Sequence, residues 1–192
     1  MKHLFIGFIL LLSSANANAN ANANANANAN ASAHSESFET YGDVGQFAIP
    51  LTALFIAWAK DDPQGMYQLG KGWAYTQAVT HGLKLTVHAR RPNGVDCNSF
   101  PSGHTSSAFS GAAFLHHRYG WQYGLPAYIA ATGVGASRIE ASKHWQLDVL
   151  AGAAIAYGVS YFVTERCTIT NLQLAPARFG KDGQGLMFSY RF

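Results

Sequence analysis

Apolar residues gather in this chain into blocks separated by short segments of charge, Pro and Gly. The stretch FAIPLTALFIAWA, Phe47 to Ala59, is apolar nearly throughout and is stopped by KDDPQG, so it predicts a buried or membrane-facing helix. From Met66 to His88 the pattern is more mixed. Trp73, Tyr75, Val79, Leu83 and Val87 recur there at helical spacing among polar residues, which predicts a second helix ended by Pro92 and Gly94. After the turn-forming segment PNGVDCNSFPSG, the run TSSAFSGAAFLHH predicts a helix beginning just after Ser102, and a further apolar helix is expected from about Leu125 to Ala136. The last is HWQLDVLAGAAIAYGVSYFV, His144 to Val163, whose Ala151, Gly152, Ala153, Ala154, Ala156 and Gly158 permit close helix packing. The tail changes period. Leu186, Phe188, Tyr190 and Phe192 alternate with Met187, Ser189 and Arg191 beyond GKDGQG, which predicts a β-hairpin with one apolar face, packed on the helices. The expected fold is all-α, a bundle of about five to six helices with a C-terminal hairpin.

The first residues do not look like fold. Lys2 and His3, a nine-residue apolar core from Leu4 to Leu12 and the small residues Ala15-Asn16-Ala17 read as a secretory signal over 1–17, with an uncleaved anchor as the rival reading. From Ala15 to Ala31, Ala and Asn alternate strictly, with eight Asn and no large apolar side chain, so 18–33 reads as a disordered tether. The helical domain is expected over 34–168 and the hairpin over 169–192.

Charge changes this picture little. A net charge of +3 invites a nucleic-acid reading, but no stretch is densely basic and aromatics do not interleave with Lys and Arg, so no nucleic-acid partner is expected. Cys97 and Cys167 would pair in an ordinary exported chain. Cys97, however, lies among the chemistry-bearing segments, and Cys167 follows a helix of about twenty residues, roughly 30 Å long. Both are therefore expected to be unpaired within the chain.

Three islands carry chemistry. In SRIEASKHWQLD, His144 and Asp148 sit four apart at the start of a predicted helix, so Asp148 can accept a hydrogen bond from one ring nitrogen and leave the other free to attack phosphorus. In PSGH, Ser102 is an N-cap, Gly103 lets backbone approach an anion, and His104 enters at the positive end of a helix, where it can protonate a leaving oxygen. In KLTVHARRP, Lys84 and Arg91 are seven apart, close to two helical turns, and project to one side where a phosphoryl group would need them. Arg138 offers a third cation. Arg90 is left on the surface, and His88 is given a packing role. Taken singly, each island also reads as an ordinary helical pair, a common helix start or solvated charge.

In order, Lys84-x6-Arg91-Pro92, Pro101-Ser102-Gly103-His104 and Ser137-Arg138-x5-His144-x3-Asp148 together resemble the type 2 phosphatidic acid phosphatase and vanadium haloperoxidase superfamily at every defined position. The resemblance implies a helical bundle with the site at one end. Lys84, Arg91, Ser102, Gly103 and Arg138 would hold the phosphoryl group there, with His144 as nucleophile, Asp148 as its orienting acid and His104 as proton donor. It implies no metal and no cofactor for the phosphatase reaction.

The expected activity is an envelope phosphatase acting on phosphate monoesters or diphosphates, lipid-linked, with membrane association and the site facing the periplasm. The alternatives are a soluble periplasmic acid phosphatase, a vanadate-dependent haloperoxidase and a non-enzymatic phosphate-binding protein. Apolar runs of roughly 13 to 15 residues fall short of the roughly 20 needed for a straight span, so the sequence leaves membrane insertion open. It also leaves the oligomeric state open.

Overall fold

A computed structural model describes residues 2–166, 172–179 and 183–190. Five helices run in order: α1 (Lys2–Ala59), α2 (Pro63–Thr86), α3 (Gly103–Tyr119), α4 (Trp121–Glu140) and α5 (Gln146–Val163). They are followed by β1 (Leu172–Phe179) and β2 (Gly183–Tyr190), an antiparallel hairpin in which Leu172 pairs with Tyr190 and Phe179 with Gly183. Among the described residues the strands contact each other and no helix, in contrast to the hairpin packed on the bundle that the tail predicts.

The central helix is α3, packed against all four others. Its sequence makes this possible. Thr105, Ser106, Ser107, Ala108, Ser110, Gly111, Ala112 and Ala113 are all buried and all small, so neighbouring backbones come close on every side. The hydroxyls that this brings inside are bonded. Thr80 Oγ1 donates to Ser106 Oγ at 3.1 Å, and Trp73 Nε1 donates to Ser107 Oγ at 3.0 Å. Ser107 Oγ in turn donates to the Gln46 carbonyl at 2.7 Å. That carbonyl is free because Pro50, four residues on inside α1, has no N–H to offer it.

Four helix boundaries differ from those the sequence predicts. The Ala-Asn repeat, expected to be a tether, and residues 35–46, which precede the predicted start at Phe47, are helical and continuous with 47–59. Ala is the strongest helix former, which favours the helical backbone through the repeat. From residue 35 onward the reason is tertiary: Gly42, Gly45, Ala53 and Ala57 form a small-residue stripe at helical spacing that is buried against the bundle. Gly42 leaves the room this packing uses, since a Cβ there would overlap Ser137 Oγ and the Arg138 guanidinium and force them to shift. Next, α2 stops at Thr86, with the extended Val87 as its C-cap, so Arg91 lies in the following loop and not two turns beyond Lys84 on one helix. Finally, α4 extends to Glu140, and α5 begins only at Gln146, after His144.

The outer surface is apolar. Phe47, Leu51, Phe55 and Trp58 of α1 and Leu147, Leu150, Tyr161 and Phe162 of α5 are exposed, while the buried core consists mainly of Ala, Ser, Thr and Gly. Ser35–Ala59 and Gln146–Val163 are long and apolar enough to cross a bilayer. The packed part of α1 is thus longer than the 13-residue apolar run that the sequence displayed.

Candidate active site

The loop from Val87 to Ser102 and the turn from Ala141 to Trp145 close one end of the bundle, and each braces the other. Asn93 N donates to the Ser142 carbonyl at 3.0 Å, and Trp145 Nε1 donates to the Arg90 carbonyl at 2.9 Å. Arg91 is fixed within its loop by Asp96, Nε to Oδ1 at 2.7 Å. Between these loops and the helices lies a cavity of about 380 Å³, lined by Lys84, Arg91, Gly103, His104, Lys143 and His144, with Gln46, Phe47, Trp73, Gln77, His81 and Ser107 completing the wall. Five of the eight site residues expected from sequence therefore meet at one cavity. Lys84 and Arg91 reach it from a helix end and a loop, which corrects the shared helical face expected for them.

Ser102, Asp148 and Arg138 stand behind the wall. Ser102 caps α3, accepting from Thr105 N at 3.4 Å, and its own N–H donates to the Asp148 carbonyl at 2.9 Å. Gly152 allows this approach, since a Cβ would lie 2.6 Å from the Ser102 carbonyl oxygen. The first-turn N–H groups of α3, at Gly103 and His104, have no acceptor within the helix and sit at its positive end.

The partner that orients His144 is not the expected one. His144 Nδ1 is 3.7 Å from Asp148 Oδ2 but 2.7 Å from the Ser99 carbonyl oxygen. A carbonyl only accepts, so Nδ1 carries the hydrogen and Nε2 keeps its lone pair. The reason is the helix boundary: His144 precedes the N-cap Trp145, so the i,i+4 geometry of a regular helix does not apply. Asp148 turns back on the helix start instead. Its Oδ2 accepts from Trp145 N at 2.8 Å and from the buried Ser99 hydroxyl. The carboxylate thus holds the Ser99 loop and the turn carrying His144, and acts on the imidazole through both.

Burial lowers the pKa of His144 to about 4, helped by the charges of Lys84 and Arg91, so the ring is neutral at ordinary pH. Burial also lowers that of Lys84, whose Nζ donates to the Asn98 carbonyl at 2.8 Å. For His104 the direction is again downward, from burial and then from the Arg138 charge. Arg138 is 0 % exposed and faces α1: Nη1 is 2.6 Å from Asp43 Oδ1, and Nη2 donates to the Glu39 carbonyl. Lys143 pairs with Glu39, and His104 Nε2 is 3.0 Å from Asp43 Oδ1. Asp43, Glu39, Lys143 and Ser99 are the site residues that sequence reading missed. Asp43 and Glu39 sat in a segment with no helical signal, and Ser99 acts mainly through its backbone.

The profile of the PAP2 superfamily matches residues 66–168, more than half of the chain and all three motif islands. The chain belongs to the PAP2 superfamily. Among curated relatives, the lipid A 4'-phosphatase of Helicobacter pylori is 36 % identical over 172 residues, covering 80 % of this chain and 85 % of that protein. The lipid A 1-phosphatase of Porphyromonas gingivalis is 40 % identical over 88 residues, 44 % of this chain and 20 % of that protein. Two solved structures share the fold. LpxE of Aquifex aeolicus aligns with a TM-score of 0.59 at 22 % identity, covering 67 % of this chain and 84 % of its own. The transmembrane PAP2-type phosphatidylglycerolphosphate phosphatase of Bacillus subtilis aligns at 0.55 and 21 %, covering 67 % and 74 %. This PAP2 protein is accordingly a phosphoric monoester hydrolase, with the all-α fold of its superfamily. Cys97 is exposed and has no disulfide partner among the described residues; Cys167 lies outside them.

Proposed function

We propose that this phosphatase removes a phosphate from a membrane lipid, a phosphorylated saccharolipid of the lipid A kind, through a phosphohistidine on His144. One observation carries the lipid reading. The site cavity adjoins an apolar groove of about 240 Å³ between α1 and α2, walled by Pro50, Leu51, Leu54, Met66 and Leu69, with Gln46, Phe47 and Trp73 lining both. A substrate with a charged head and a hydrocarbon body matches such a pair. The exposed apolar faces of α1 and α5 support work at a bilayer, and the signal-like segment 1–17 supports export, with the site facing the periplasm. The lipid A phosphatases among the relatives point to the headgroup.

The chemistry follows from the nitrogen lone pairs. Nε2 of neutral His144 attacks phosphorus while Lys84, Arg91, Lys143 and the first-turn N–H groups of α3 bind the equatorial oxygens. An N–P bond forms and the P–O bond to the lipid breaks, with His104 delivering a proton to the departing oxygen. Water then attacks the phosphohistidine, giving its proton to His104, and phosphate leaves. Arg138 adds positive field from behind the wall.

The test measures phosphate release by purified protein from lipid A, a phosphatidate and a water-soluble monoester. The lipid substrates are expected to react at least about 10-fold faster, and His144→Ala is expected to lose about 10⁴-fold or more. Equal rates on the soluble ester, with release of the protein from membranes by carbonate, would favour a soluble acid phosphatase instead. Undiminished turnover in His144→Ala would remove the phosphohistidine.

A further inference from the structure

We infer that Asp43 is a positioning residue for the leaving-group proton: its carboxylate favours the proton-bearing form of His104, against its other neighbours, and joins it to Arg138. This rests on the reading of His104 as the proton donor. Four observations converge on it. A single oxygen, Oδ1, is 3.0 Å from His104 Nε2 and 2.6 Å from Arg138 Nη1, so the two motif residues are joined through one atom of α1. Arg138 is fully buried and its other terminal nitrogen is bonded to the Glu39 carbonyl, one helical turn before Asp43, so its guanidinium cannot swing away. Gly42 exists at this point to admit the approach, since any side chain there would strike Ser137 and Arg138. Finally, His104 Nδ1 has no partner among the described residues, which leaves that nitrogen for the substrate.

The physical need is clear from what surrounds His104. Arg138 on α4 and Lys143 in the following turn both disfavour an imidazolium, as does burial. Lys84 and His81 of α2, Arg91 and His144 share its cavity. Of these neighbours, Asp43 is the group in direct contact that favours the proton. An alkyl or sugar phosphate releases a strongly basic oxygen and depends on a proton donor, whereas the nitrophenolate of p-nitrophenyl phosphate leaves without one.

The experiment compares kcat/KM of wild type and Asp43→Asn on p-nitrophenyl phosphate and on an alkyl phosphate of equal charge, across pH. Asn keeps an oxygen for Arg138 and removes the charge. The variant is expected to lose about 10- to 100-fold on the alkyl ester and only a few-fold on the nitrophenyl ester. On the alkyl ester its alkaline limb is expected at lower pH, because His104 without the carboxylate gives up its proton sooner. The ratio of the two substrates is taken within one preparation, so a partly folded variant does not alter it. Equal losses on both esters would make Asp43 merely structural. A gain in activity with a lower KM would make its carboxylate a competitor for the phosphate position. Either result overturns the inference while leaving the phosphatase reading intact, whereas a wild type inactive on both esters and on lipid A overturns both.

Discussion

The two ends of α3 each bring a buried arginine against an aspartate. At the far end, Arg118 donates through Nε to Asp62 Oδ2 at 2.8 Å and through Nη2 to Oδ1 at 2.6 Å. The same carboxylate accepts from Tyr119 Oη at 2.7 Å and from Gly65 N at 2.9 Å, and Arg118 Nη1 reaches the Glu165 carbonyl. Both carboxylate oxygens are doubly bonded, and the arginine's hydrogen bonds, led by the bidentate fork, hold the Asp62 pKa at about 2. At the near end the geometry is looser and, among the described residues, Lys84 has no carboxylate in direct contact. Asp43 meets Arg138 through one oxygen and is 47 % exposed, while Lys84, Arg91 and Lys143 gather around a cavity where Asp96 pairs with Arg91 and Glu39 with Lys143. A closed, neutral pair ties α3 to the α1–α2 connection and the segment after α5. An open, cation-rich cluster is left to be completed by an anion.

The largest effect that would break this comparison lies at the closed end. Asp62→Ala strands a buried guanidinium and is expected to cost about 3–5 kcal/mol of stability. Urea unfolding should show that loss, while the folded fraction keeps its kcat/KM; a loss of activity at unchanged stability would mean the two ends are coupled. At the open end, Lys84→Met is expected to lower kcat/KM by about 10²-fold with little change in stability. It also moves the acid limb. A cation beside His144 disfavours the imidazolium, so removing Lys84 raises the pKa from about 4, and activity should disappear at a higher pH on the acid side. An acid limb that stays in place would detach His144 from that limb. The smallest effect belongs to Ser99→Ala. It removes one donor to Asp148 but leaves the carbonyl that holds His144, so about 1 kcal/mol of stability and less than about 10-fold in kcat/KM are expected to be lost. A loss comparable with that of Lys84→Met would show that Asp148 acts on His144 chiefly through this hydroxyl.

Much of the site was legible because its residues are marked by type and order. Lys84, Arg91, Gly103, His104 and His144 were found by spacing and motif, and all five line one cavity. The helix beginning just after Ser102 was found from its cap and the small residues that follow. Other features were hidden for particular reasons. The segment 35–46 has Gly, Ser, Glu and Asp where an apolar stripe was sought, because its buried face is made of glycines that pack by closeness and not by hydrophobic area. The hydrogen bond from His144 went to Ser99 because a backbone carbonyl leaves no mark on sequence.

By itself, then, the sequence determined the helical class, the C-terminal hairpin, the PAP2 resemblance and the identity of five residues that line the cavity. These depend on local periodicity and on residue chemistry, which the chain carries wherever it folds. The tertiary structure alone decided that Arg138 faces α1, that Asp43 bridges it to His104, that Lys84 and Arg91 converge from different elements, and that the site cavity lies beside an apolar groove. Those are distances between segments that can lie far apart in the chain, 95 residues for Asp43 and Arg138, fixed by how small residues let helices approach. No local pattern encodes such a distance, because it arises only when every helix has found its neighbour.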